Sequence, residues 1–198
     1  AGSALYACGS YAINVFAGSF LIRVHGLSAT EAGLAFGLAF GLGGIAGTFL
    51  GGVLADALGR RDPRWRLLVP ALGQLLSLPA ALGAWLVPDV GLAIALLALT
   101  YILGLFYYAP TFAAAQQLAA GHERATASAL LLFCLTLIGS SVGPLAVGWT
   151  SDRLAPQYGP QALRYALCLM GITILWSAWH FHLAARALGP DLEQSGRG

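Results

Sequence analysis

Gly52-Val-Leu-Ala-Asp56-Ala-Leu58-Gly59-Arg60-Arg61 closes a long apolar run, and a fainter copy returns ninety-six residues later as Gly148-Trp-Thr-Ser-Asp152-Arg-Leu154. The register also holds upstream, where Gly43 and Gly47 align with Gly139 and Gly143, and Thr48 with Pro144. Each copy ends with a carboxylate at the edge of its run. Two copies of one pattern in successive halves of a chain point to a duplicated membrane unit.

Composition agrees. The 198 residues are 58% hydrophobic and only 9% charged, far from the balance of a soluble domain. All charges fall outside the uncharged runs 4–22, 32–55, 67–87, 90–120, 125–151 and 165–185. A helix needs roughly 20 apolar residues to cross a hydrocarbon layer of about 30 Å. The runs therefore predict an all-α membrane protein of six transmembrane helices, arranged as two inverted three-helix repeats over 1–88 and 89–185. A polar cytoplasmic tail over 186–198 completes a single unit, 1–198.

Arginine sets the expected orientation, because the chain has no lysine. With six spans, both termini share a side with the second-to-third and fourth-to-fifth loops. Arg60, Arg61, Arg64, Arg66, Arg124, Arg186 and Arg197 lie there; only Arg23, Arg153 and Arg164 lie opposite. The positive-inside rule puts both termini in the cytoplasm, as for a protein of a bacterial inner membrane. Trp65, Trp85, Trp149, Trp176 and Trp179 fall near run ends, as in interfacial belts. The net charge of +2 thus records topology and gives no sign of nucleic-acid binding. The start lacks an initiator methionine and a basic n-region, so a piece of a longer protein is expected rather than a signal peptide. Cys8, Cys134 and Cys168 all sit in apolar runs and read as small packing residues; neither a metal site nor a cofactor is expected.

Glycines at four-residue spacing mark close helix packing. The second run carries Gly33, Gly37 and Gly41, then Gly43, Gly47 and Gly51, and the fifth carries Gly139, Gly143 and Gly148. Polar side chains are unfavourable against lipid, so they should meet other helices or a water-filled cavity. In the first run Tyr6, Ser10 and Asn14 recur along one face with Ser3. The fourth offers Tyr101, Tyr107, Tyr108 and Thr111, with Pro110 bound to kink it, and the fifth adds Thr136 and Ser140. Tyr6, Ser10, Asn14, Tyr107, Tyr108, Thr111, Thr136 and Ser140 are the candidate cavity lining. The third and sixth runs look blander and are expected to face lipid. No acidic or basic residue lies at mid-membrane depth, so any proton-coupling group is expected elsewhere.

The Gly52–Arg61 stretch has a physical reading of its own. Gly52 permits close approach, and Gly59 is expected to support a tight turn. Asp56, at the membrane edge, can accept hydrogen bonds from another helix's N-terminus, where the helix dipole favours an anion. Arg60 and Arg61 can pair with carboxylates or lipid phosphates. Such a clasp can form in one conformation and break in another; the alternative is a capped, basic loop with no gating role.

Gly52-xxx-Asp56-xx-Gly59-Arg60-Arg61, between the second and third helices, resembles the loop signature of the major facilitator superfamily. Gly139-xxx-Gly143-Pro144-xxx-Gly148 is similar to that superfamily's Gly-Pro motif. Pro110-Thr-Phe112, Gln116-Gln117, Arg124-Ala-Thr-Ala-Ser128-Ala and Arg23-Val-His25-Gly26-Leu27-Ser28 resemble bacterial spinster-like members. The resemblance implies half of a twelve-helix transporter, the carboxyl-terminal one, whose partner is a missing amino-terminal six-helix half. It implies that Asp56 and its arginines face the missing half, and that Glu123, Arg124 and Thr126 receive that half's own loop. Ala57 and Asp62 stand where the signature usually has basic residues, which implies a weaker clasp. The function implied is secondary, proton-coupled transport of a small amphipathic substrate, lipid-like or an organic anion, and spinster-like relatives imply a lysophospholipid or sphingoid lipid.

Two other readings are weighed. A rhomboid-type intramembrane enzyme has six helices and a Gly-x-Ser-Gly nucleophile, but Gly139-Ser140-Ser141-Val142 lacks the final glycine, and His180 and His182 lie near Trp179 at a helix end. A non-transporting assembly module is the third reading.

Overall fold

The computed structural model describes residues 2–195, with side chains as far as Ala187; most of the expected tail continues the last helix to Ser195, and Ala1 and 196–198, Arg197 included, lie outside the described residues. Every element is helical among those described. They are α1 (Gly2–His25), α2 (Ala29–Gly59), α3 (Trp65–Leu86), α4 (Val90–Gly104), α5 (Tyr108–Leu118), α6 (Arg124–Tyr158), α7 (Ala162–Leu169) and α8 (Gly171–Ser195). Five helical stretches are long and apolar enough to cross a membrane, and the fifth, Gly121–Ala187, contains two limbs. Gly159 divides them at φ 54° and ψ −133°, a backbone that glycine adopts without Cβ strain.

Local chemistry fixes the turns. Ser28 and Glu31 form a reciprocal capping box at the start of α2, with Ser28 N–H donating to Glu31 Oε2 at 2.9 Å. Asp89 caps α4 by accepting from Leu92 N–H at 2.7 Å. Gly26, at φ 73°, reverses the chain between α1 and α2. Pro110 has no N–H to give Phe106 four residues back, and the chain tightens into a 3-10 turn over Leu105–Tyr107 between α4 and α5. The kink expected at Pro110 is thus a change of helical pitch one turn earlier.

The glycine rows show where helices meet. A Cβ at Gly43 would stand 3.0 Å from Ala98 O, one at Gly47 would strike Ile102 O, and one at Gly51 would stand 2.5 Å from Phe106 Cα. So α2 lies directly on the backbone of α4 and its 3-10 extension. On α6, a Cβ at Gly139 would stand 2.6 Å from Tyr11 Cδ2, and one at Gly143 would strike Cys8 O. So α6 lies on α1 by the same means.

Two expectations about faces are overturned. In α3, expected to face lipid, 56% of the most apolar window is buried, against 28% in α2. Its Ala71, Gly73, Ser77, Ala80, Ala81 and Ala84 are buried, because small side chains let neighbouring helices close over them. Trp85 is no interfacial anchor: it is 1% exposed, with its ring edge-to-face on Phe20 at 5.0 Å. Trp149, Trp176 and Trp179 are exposed.

Candidate functional site

A cavity of about 560 Å³ lies between α1, α2 and the α4–α5 junction. Ser10, Tyr11 and Asn14 come from α1; Phe40, Gly41, Gly44, Ile45 and Thr48 from α2; and Leu105, Tyr107 and Tyr108 from the junction. No side chain of this lining carries a charge. Gly41 and Gly44 make room for it: a Cβ at Gly41 would meet nothing within 4 Å. The 3-10 turn brings Tyr107 and Tyr108 to the wall with ring centroids 6.0 Å apart, and Tyr107 also packs at 4.9 Å on Tyr6.

The wall holds one hydrogen bond that crosses between helices. Tyr101 of α4 donates its hydroxyl proton to Asn14 Oδ1 at 2.6 Å. Tyr101 is 2% exposed and gripped by Phe36 and Phe40, with centroids at 6.2 and 5.2 Å.

Of the eight side chains expected to line a cavity, the structure brings Ser10, Asn14, Tyr107 and Tyr108 to this one. Tyr6 is 4% exposed, with its hydroxyl against Gly104, and belongs to the packed interior. Thr111 borders a separate, smaller hollow with Ser3, Leu67 and His180. Thr136 and Ser140 lie on the exposed face of α6. Sequence reasoning missed Tyr11, Phe40 and Thr48. Thr48 carried a legible signal, as a lone hydroxyl on a glycine helix, four residues beyond Gly44 and seven beyond Gly41.

Gly52, Asp56, Gly59, Arg60 and Arg61 lie at the arginine-rich end. Asp56, Arg60 and Arg61 are exposed, and among the described residues the only carboxylate contact within salt-bridge distance is the His122 imidazole with Glu123 at 3.8 Å. Gly59 is helical and not in a positive-φ turn, contrary to expectation. It is glycine for space, because a Cβ there would stand 2.8 Å from Arg66 Cγ. Arg66 crosses that gap and donates from Nη1 to Gln117 Oε1 at 2.8 Å, tying the start of α3 to the end of α5. Gln116 donates to Ser128 Oγ of α6 at 2.9 Å. Glu123, Arg124 and Thr126 are all exposed at the start of α6. Near the other copy, the Arg153 guanidinium lies 4.5 Å over its own helix's Trp149 ring.

No protein-family model matches the chain. It is 44% identical over 170 residues, 86% of its length, to an "MFS-type efflux pump" of Mycolicibacterium smegmatis. It superposes with a TM-score of 0.84 and 26% identity, over 96% of its length, on a bacterial homologue of the human lysosomal transporter Spinster in an inward-facing, unoccupied conformation. The chain belongs to the major facilitator superfamily. The occupied, inward-facing form of the Spinster homologue shares the fold, with a TM-score of 0.81 at 24% identity. This superfamily chain spans 39% of the mycobacterial pump and about half of the Spinster homologue, 47% and 48% in its two forms. Membership and the apolar stretches together make it an integral membrane protein.

Proposed function

We propose that the chain is the carboxyl-terminal half of a secondary active transporter that works by alternating access and moves a small amphipathic substrate. The observation that carries this reading is the uncharged, tyrosine-rich cavity, walled by α1, α2 and the α4–α5 junction. Aromatic rings and hydroxyls suit a molecule with a large apolar part and a modest polar end. The remaining wall belongs to an amino-terminal six-helix half.

Several features support that arrangement. The chain covers about half the length of the Spinster homologue. Reciprocal seating of α2 on α4 and α6 on α1 suits two inverted repeats, 1–88 and 89–185. Asp56, Arg60 and Arg61 stand exposed beside the start of a loop that the partner half clasps, with the arginine-rich end in the cytoplasm. Proton coupling draws on a titrating group of the other half, since the apolar runs here carry no charge.

Full-length protein in proteoliposomes tests the reading. Addition of a lysophospholipid, a sphingoid base or a cationic amphipathic drug is expected to start proton flux with at least one of them. Flux with none of the three classes would sink it.

A further inference from the structure

We infer that Asn14 is the directional polar contact of the cavity, and that it selects a hydrogen-bond acceptor, such as an ester or amide carbonyl oxygen, on the bound molecule. The inference rests on the transport-cavity reading and adds the chemistry of the polar end.

The polar groups of the wall are unequal. Ser10, Tyr11, Thr48, Tyr107 and Tyr108 offer hydroxyls, which rotate and both donate and accept, so they do not discriminate. An amide is different: its oxygen only accepts and its nitrogen only donates. The oxygen of Asn14 already accepts the proton of Tyr101 at 2.6 Å. Its ring is fixed, because Tyr101 is 2% exposed and held edge-on by Phe36 and Phe40. Turning the amide over would make the hydroxyl oxygen accept from Nδ2 and leave the hydroxyl proton with no acceptor among the described residues. Hydrogen bonds within the described residues leave Nδ2 free, and it is not among their buried, unpartnered atoms. Two N–H bonds therefore remain for the cavity, and they fit an acceptor and repel a donor. Tyr101 acts as a positioning residue, and Phe40 links it to the cavity wall, touching both.

Two probes of equal chain length separate the cases: N,N-dimethyldodecanamide, whose polar end only accepts, and dodecylammonium, whose polar end only donates. Binding of each radiolabelled probe is measured on full-length protein in lipid nanodiscs. The amide is expected to bind roughly tenfold more tightly, since leaving a desolvated donor unpaired is the larger cost. Tyr101→Phe removes the proton that fixes the amide, so both probes still bind and the preference shrinks several-fold. Asn14→Asp reverses the preference towards dodecylammonium. A preference that survives Tyr101→Phe unchanged, or a native preference for the ammonium, overturns the inference while leaving the cavity intact. Gly41→Trp, which fills open space, tests the cavity itself. If it leaves the binding of both probes undiminished, or if neither probe binds the native protein, the cavity reading falls first and this inference with it.

Discussion

Helices α2 and α6 dock by the same device and differ in everything beside it. Gly43 and Gly47 place α2 on α4, and Gly139 and Gly143, at the matching register, place α6 on α1. Next to its rail α2 offers Gly41, Gly44 and Thr48 to a cavity. Ninety-six residues on, the corresponding positions of α6 are Leu137, Ser140 and Pro144. Their far ends differ too. Beyond Asp56, Arg66 reaches across to Gln117 on another helix, whereas beyond Asp152, Arg153 folds back on Trp149 of its own. Backbone seating tolerates no variation, because a carbonyl cannot yield to a methyl group. The adjoining face and the helix ends are free to diverge.

The largest effect should come from the seats. Gly47→Ala and Gly143→Ala each drive a Cβ into a backbone carbonyl and are expected to cost about 3 kcal/mol, read as lost monodisperse yield and a lowered thermal midpoint of full-length protein in detergent. Gly37→Ala, with nothing within 4 Å, should leave both readings unchanged. If the seats tolerate alanine, the likeness of α2 and α6 is only one of sequence.

The two carboxylates sharpen the contrast. Asp56→Asn is expected to slow transport about tenfold, the equivalent of about 1.4 kcal/mol of lost charge–dipole interaction, with folded yield kept. Asp152→Asn should stay within about twofold, a difference too small to assign to a lost charge contact. Equal losses from both would leave no functional distinction between the two copies. Smaller again, Arg66→Ala should lower stability by about 1 kcal/mol through its water-exposed hydrogen bond to Gln117. Arg153→Ala, on an exposed tryptophan, should lower it by about 0.5 kcal/mol. Chemical denaturation in mixed micelles orders the pair.

Hydropathy revealed the helices and spacing revealed the glycine rails, because both follow from the chain alone. The partner of each rail was not legible: Gly47 announces a close approach without naming Ile102. Nor was the inside of α3, since in a bilayer the lipid face and the packed face are equally apolar, and only small-residue spacing tells them apart. The stripe of Ser3, Tyr6, Ser10 and Asn14 was real as a face but mixed in fate. Periodicity fixes direction around a helix, whereas the neighbour changes with depth. At the level of Ser10 and Asn14 there is open space, and at Tyr6 there is Gly104. Tyr11 and Phe40 escaped notice because an aromatic ring in an apolar run announces nothing until its surroundings are known.

The short 3-10 turn at Leu105–Tyr107 also joins mechanics to occupancy. Pro110 leaves Phe106 without its usual helical donor, so a bend here has one backbone hydrogen bond fewer to disturb. Leu105 and Tyr107 lie within the turn and Tyr108 just past it, and all three line the same cavity. On the proposed reading, a molecule wedged between Asn14 and those tyrosines would press on the joint itself. The angle of the α4–α5 rod and the filling of the cavity would then be a single coordinate, much as a key and the tumbler it lifts share one displacement.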